Sequence, residues 1–261
     1  MTEQEQRQQV NEEMTDLRGQ VAIVTGASSG IGQAIAEALV TRGVHVAAQS
    51  RRADRLHALA ERLQGDGNGE VLVVPGDVRE PEDVRRLVDA ALERFHQLDI
   101  VVANAGLGYR EKLVDSDIER WKVMLDTNVY GLLLTLKYGV KPMLERKRGH
   151  AIVMSSVAGR VPTPGGSAYC GTKFAATAIA DSLRQEVGPL GVRVTTIEPG
   201  VVLSEFQAVA SYTPEILANM LKGAEPLVPA DIARAVVFAL RQPAHFGVTE
   251  VVVRPTGQAY P

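Results

Sequence analysis

The sequence predicts a single α/β domain built on a doubly wound sheet of about seven parallel strands, with helices on both faces. Three observations carry that reading. Short apolar runs alternate with segments of helical period, the signature of repeated βαβ units. The runs are continuously apolar, as strands covered by helices on both faces must be. After the first 17 residues, no linker, repeat or change of composition divides the 261-residue chain, so residues 18–261 read as one domain.

The elements follow in order. Residues 1–17 are rich in Gln and Glu and have little to bury, so they read as a polar tail. QVAIVT is the first strand, GIGQAIAEALVTRG a helix, VHVAAQ a strand and RADRLHALAERLQ a helix. EVLVVPG, PEDVRRLVDAALERF and LDIVVANAG then repeat strand, helix, strand. A long helical stretch from about Asp115 to Arg148 leads into the strand HAIVMSS, and a helix from about Ser167 to Val187 leads into VRVTTIEPG. IARAVVFALRQ and TEVVVRP supply the last helix and strand. The least regular part, Val201 to Pro229, falls beside the carboxyl ends of the strands, where a substrate lid is expected.

Composition narrows the function. A formal net charge of -3 offers no clustered positive charge for nucleic acid or anionic lipid. No apolar run is long enough to span a bilayer, and the polar start does not read as a signal peptide. The single cysteine, Cys170, reads as a packing residue and fits a reducing compartment, with the cytoplasm as default. His45, His57, His96, His150 and His245 lack metal-ligand spacing, so no metal is expected.

The first strand ends in TGASSGIG. Gly26, Gly30 and Gly32 allow a sharp turn and close approach of a ligand, and the free N–H groups that open the following helix attract a phosphate. This is a Rossmann-type dinucleotide turn, with Ser28, Ser29 and Ile31 beside the glycines; a turn that binds nothing is the bland counterpart. The second strand ends in Ser50, Arg51 and Arg52, where an NAD-binding sheet usually places a carboxylate for the ribose 2′-hydroxyl. A guanidinium pairs with a 2′-phosphate, which favours NADP(H) over NAD(H), unless these arginines are only solvated charges. Asp77 and Val78 follow the third strand, with Asp77 serving either the adenine amino group or its own turn. Asn104, Ala105 and Gly106 follow the fourth, small enough to let a flat cofactor lie on the backbone. Asn128 is a polar residue among apolar neighbours and needs a partner if buried.

Tyr169 and Lys173 lie one helical turn apart, with Cβ atoms ~5–6 Å apart on one face. Lowering a tyrosine from pKa 10 by about three units takes roughly 4 kcal/mol. Unit charges ~4 Å apart at an effective dielectric of about 20 interact by about that much. A depressed phenol pKa is therefore expected, with Ser156 at the end of HAIVMSS positioned to hydrogen-bond a carbonyl oxygen. The bland counterpart is a surface Tyr–Lys pair.

TGASSGIG, NAG, NVYG, the serine of SSVAG, YCGTK and the PG of IEPG, in that order, resemble the short-chain dehydrogenase/reductase family from about Leu17 onward. The chain looks closest to its NADP-dependent branch containing clavulanic acid dehydrogenase and 3-hydroxy acid dehydrogenases, through RQEVGPLGVRVTTIEPG and TEVVVRPTGQ. The resemblance implies a catalytic set of Ser156, Tyr169, Lys173 and Asn128. Tyr169 is the general acid in reduction, Ser156 polarises the substrate oxygen, Lys173 binds the nicotinamide ribose and depresses the tyrosine, and Asn128 holds a water that positions the lysine. It also implies cofactor contacts at Pro199, Gly200, Val202 and Ser204, the last where the family often has threonine. Hydride then passes between the nicotinamide and an alcohol or carbonyl compound. Leu107, Tyr109, Gly165, Gly200, Phe206 and Tyr212 fall near the substrate; Arg110 or Arg160 is either a carboxylate anchor or a solvated group. Family members commonly pair their long helices, so a homo-oligomer is expected, a tetramer rather than a dimer. The competing readings are a nucleotide-binding sensor without turnover and, more distantly, a sugar-nucleotide epimerase or dehydratase. The intact Ser, Tyr and Lys favour the enzyme.

Overall fold

The computed structural model describes residues 14–65 and 69–258. Seven parallel strands lie in the order β3-β2-β1-β4-β5-β6-β7. They are β1 (Val21–Thr25), β2 (His45–Gln49), β3 (Val71–Val73), β4 (Ile100–Ala103), β5 (Gly149–Met154), β6 (Val192–Pro199) and β7 (Glu250–Val253). The first 13 residues of the expected tail lie outside the described residues. Packing begins before residue 18: the Thr15 N–H donates to the Arg241 carbonyl, and Leu17 is buried.

Strand β1 explains why the apolar runs have no polar side. Its Ala22 and Val24 enter one core, while Val21 and Ile23 enter the other, because successive side chains point to opposite faces. Helices α1 (Gly30–Val40) and α2 (Ala53–Leu63) contribute Ile35, Leu39, Leu56 and Leu59 to the first core. Helix α3 (Pro81–Phe95) contributes Leu87 and Ala91 to the second. Burying each such leucine contributes roughly 1.5–3 kcal/mol.

The long helical stretch is not one helix. Helix α4 (Ile118–Leu125) and helix α5 (Gly131–Arg146) are joined by a π-helical turn over Asp126–Tyr130. A π turn opens the backbone ladder within an otherwise α-helical run and re-aims the side chains at that level. Asn128 sits in it and is 3% exposed, which turns its amide inward. Helix α6 (Ser167–Val187) matches the expected range and carries Tyr169 and Lys173. The segment read as least regular holds two short helices, α7 (Phe206–Val209) and α8 (Pro214–Leu221), tied back by a bridge between Val202 and Leu227. Helix α9 (Pro229–Leu240) then packs on the first core through Ile232 and Val236.

Strand order reverses between β1 and β4, so the connections from these two strands leave in opposite directions and open a crevice at their carboxyl ends. Thr25 closes its floor: its hydroxyl accepts from the N–H groups of Asn104 (3.1 Å) and Ala105 (3.2 Å).

Candidate active site

The crevice is a cavity of about 430 Å³ that runs from the glycine turn to Tyr169 and is covered by residues 201–220 of the lid. Every sequence-predicted nucleotide contact lines it, as do Leu107, Tyr109 and Phe206. Asn128 lies behind the wall, and Gly165 and Arg160 are outside it.

At the nucleotide end, the backbone of TGASSGIG leaves the sheet with Gly26 at φ 70° and Gly30 at φ 55°, both in the region that favours glycine. The N-cap Ser29 makes no side-chain bond to the N–H groups that open α1, which leaves those donors facing the cavity. That donor set fits a pyrophosphate. Small size matters equally at Gly32, where a Cβ would stand 2.4 Å from the Gly26 carbonyl oxygen.

The two arginines after β2 differ. Arg51 is exposed, whereas Arg52 lies across the turn: its Nη2 donates to Ser28 Oγ (2.9 Å) and Ser29 Oγ (2.6 Å). Its Nη1 pairs with Glu205 of the lid at 2.9 Å, and Arg55 reaches the other oxygen of the same carboxylate at 2.5 Å. Bonds from Arg52 and then Arg55 hold the Glu205 carboxyl well below the usual carboxylate range, at about 2. Neither Arg55 nor Glu205 was legible as part of the site; only the helical spacing of Arg52 and Arg55 was a signal for the first. Asp77 is clamped by Arg79, whose Nη2 donates at 2.6 Å. Burial pushes the Asp77 carboxyl up, but the Arg79 bonds more than offset it and hold it down. That arrangement favours the turn role over a free acceptor for an adenine.

At the other end, the adjacent serines separate. Ser155 is buried, its hydroxyl bonded to the Lys173 carbonyl (3.1 Å) and Thr177 (2.8 Å). Ser156 faces the cavity, with its Oγ accepting from the Ala158 N–H at 3.1 Å and donating weakly to the Pro199 carbonyl at 3.4 Å. It is also hydrogen-bonded to Tyr169. Lys173 is buried, with Nζ donating to the Met154 carbonyl at 2.9 Å and lying 5.9 Å from the centre of the Tyr169 ring. Burial lowers its pKa from 10.5 to about 8.

The expected depression of the Tyr169 phenol is not found. Enclosure pushes it up, and only the Ser156 hydrogen bond opposes that. The ammonium of Lys173, 5.9 Å from the centre of the ring, does not reverse the effect. Asn128 does not reach this pair directly. Its Nδ2 donates to the Leu107 carbonyl (2.7 Å) and Thr172 Oγ1 (3.0 Å), and its Oδ1 accepts from the Leu107 N–H (2.9 Å). Asn128 therefore pins the loop after β4, and no donor or acceptor on its side chain is left for the expected water bridge beyond the second lone pair of Oδ1.

The lid contributes an aromatic wall. Phe206 packs on Tyr169 with ring centres 5.6 Å apart, and Tyr212 meets Phe206 edge-on at 6.3 Å. Gly108, absent from the sequence expectations, makes this contact possible, since a Cβ there would lie 2.7 Å from Phe206 Cζ and 2.8 Å from Tyr169 Cδ2. Arg110 lines the cavity and bonds Tyr212. Arg160 instead pairs with the buried Glu198 and with Glu250 outside the cavity, so it is neither a substrate anchor nor a freely solvated group. Ser204 faces Gly30, where a Cβ would come within 3.3 Å of its Cβ, and the Val202 carbonyl accepts from Gln207 Nε2 at 2.6 Å. Among the described residues no group of three or more His, Cys, Asp or Glu could hold a metal ion, and no helix is long and apolar enough to cross a membrane.

A doubly wound sheet that opens a glycine-lined crevice at its switch point defines a class of dinucleotide-binding folds. Comparison identifies which: residues 20–214 match the family model described as short chain dehydrogenase, and the chain belongs to that family of oxidoreductases. An uncharacterized oxidoreductase of Staphylococcus saprophyticus is 38% identical over 242 residues, which are 93% of this chain and 100% of that one. The glycine betaine reductase of Emericella nidulans is 38% identical over 240 residues, 92% of this chain but only 19% of that much longer protein. Among solved structures, the alcohol dehydrogenase of the archaeon Thermococcus sibiricus, complexed with 5-hydroxy-NADP, superposes with a TM-score of 0.83 at 36% identity. That match covers 93% of this chain and 99% of that one.

Proposed function

We propose that this protein interconverts an alcohol and a ketone or aldehyde with NADP(H), preferred over NAD(H), as the hydride carrier. One observation carries the reading: Ser156, Tyr169 and Lys173 converge at the end of a cavity whose other end is a helix N-terminus flanked by Arg52. The NADP analogue bound to the archaeal alcohol dehydrogenase supports the nucleotide.

The glycine turn, Ser28, Ser29 and Ile31 would hold the pyrophosphate, Arg52 the 2′-phosphate, and Asn104 to Gly106 the nicotinamide half. Pro199, Gly200, Val202 and Ser204 border the carboxamide. When bound, the cofactor would supply or accept the hydride. Ser156 turns from its long bond with Pro199 and donates its hydroxyl proton in a hydrogen bond to the substrate oxygen. Tyr169 donates its own proton to that oxygen in reduction and recovers it in oxidation. Burial keeps the phenol protonated at neutral pH, which suits the reductive direction. Lys173, anchored by Met154, holds the ribose hydroxyls, and Asn128 fixes Leu107 so that the loop wall keeps its shape. Phe206, Tyr212, Tyr109 and Leu107 exclude water from the reacting end.

We place the protein in the cytoplasm as a homotetramer, with residues 18–261 as its one nucleotide-binding and catalytic domain; light scattering that returns a monomer at micromolar concentration overturns the assembly. The function is tested by following loss of NADPH and NADH absorbance with a panel of aldehydes, ketones and oxo acids. Faster turnover with NADPH, abolished by Tyr169→Phe, is the expected result. Binding of both nucleotides with no turnover of any panel member turns the reading toward a sensor.

A further inference from the structure

We propose that Glu205 sets the choice between nucleotides, acting as an internal stand-in for the 2′-phosphate that a bound NADP(H) must displace. The inference rests on the reading of Arg52 given above and extends it to two residues that reading does not include, Arg55 and Glu205.

Arg52 caps the start of α2 and Arg55 follows three positions later, so their guanidinium groups share a helix face. Both converge on the Glu205 carboxylate, one on each oxygen, at 2.9 and 2.5 Å. The same Arg52 group also donates from Nε and Nη2 to Ser28 Oγ (3.1 and 2.9 Å) and from Nη2 to Ser29 Oγ (2.6 Å). Two guanidiniums thus hold one oxyanion beside the glycine turn, and the Ser28 and Ser29 hydroxyls fix one of those guanidiniums in place. This is the donor set that a phosphate monoester takes, since arginine matches its oxygens with paired hydrogen bonds.

The carboxylate in that position comes from a remote part of the chain, at the head of the lid just before α7. While it stays, the pocket carries two positive charges and one negative. A phosphate bearing close to two negative charges competes well for both arginines once Glu205 withdraws. NAD(H) has a neutral hydroxyl at this place and cannot expel the carboxylate. NADP(H) binding is therefore weakened by the exchange, and the head of the lid is released when it occurs. All three side chains are about half exposed, at 42%, 43% and 51%, so the pairing is solvent-screened and the effect is modest.

The test is direct binding, measured by the fluorescence of reduced nicotinamide, with NADPH and NADH titrated into wild-type protein, Glu205→Gln and Arg55→Gln. Removing the carboxylate is expected to raise the affinity ratio of NADPH over NADH by roughly 3- to 10-fold, and Arg55→Gln to lower it by a similar factor. Adenosine 2′,5′-bisphosphate serves as a second probe and is expected to gain affinity in Glu205→Gln where ADP does not. An unchanged or lower ratio in Glu205→Gln overturns the inference while leaving the nucleotide reading intact. Failure of the wild-type protein to bind either nucleotide overturns both.

Discussion

Lys173 is a cation held where a cation is poorly accommodated, and this makes the stability of the protein depend on pH in a predictable way. It is 6% exposed, and burial lowers its pKa from 10.5 to about 8. Because the folded value lies below the unfolded one, the unfolded chain holds the proton more tightly. The lysine therefore destabilises the fold below about pH 8, and the penalty fades as pH rises toward 10.5. The two values correspond to a penalty of about 3 kcal/mol at pH 7, falling to about 1 kcal/mol at pH 9.5. Lys173→Met keeps the length of the side chain and removes the charge, at the expense of about 1 kcal/mol for the lost bond to Met154. The variant is expected to be more stable than wild type by about 2 kcal/mol at pH 7 and about equal to it at pH 9.5. Urea unfolding followed through the single tryptophan, Trp121, measures both points. Tyr169 acts in the opposite sense, because its raised pKa contributes stability that is lost only above pH 10, which sets the upper limit of the window. Parallel pH profiles for wild type and variant would refute a proton-linked penalty at Lys173.

Other substitutions test the rest of the site. Tyr169→Phe is expected to lower kcat by roughly 10²- to 10⁴-fold while nucleotide fluorescence titrations remain unchanged, as loss of an acid–base group requires. Gly108→Val drives a side chain into Phe206 and Tyr169, and steady-state kinetics should show kcat/KM reduced by at least roughly tenfold with little loss of folded protein. Asn128→Ala removes three bonds, two of them to Leu107, and thermal unfolding should register a loss of roughly 2–3 kcal/mol together with a raised KM. Arg160→Met strands the buried Glu198 carboxylate, so it should destabilise the protein by roughly 3 kcal/mol at pH 7 without changing the acceptance of acidic substrates.

What the sequence reveals about this fold and site divides along the range of the interactions involved. Strands and helices were legible because their cause is local: a short run rich in β-branched residues, such as residues 21–24, feeds two cores at once, as a central strand does. Strand ends then placed Ser156, Arg52 and Asn104 at one edge without any knowledge of their partners. The Asp77–Arg79 clamp joins residues two apart and could have been read from the spacing alone. The π turn could not, since Asn128 within it bonds Leu107, 21 residues away, and such a partner is not marked in the local sequence. The same distinction explains the error over Tyr169. Spacing on a helix brings a lysine near a phenol, but whether its charge outweighs the burial of the phenol is decided by how deeply the folded chain encloses the pair. Burial depth is a property of all the surrounding elements together, so the helix carries the pair while the rest of the fold determines its protonation.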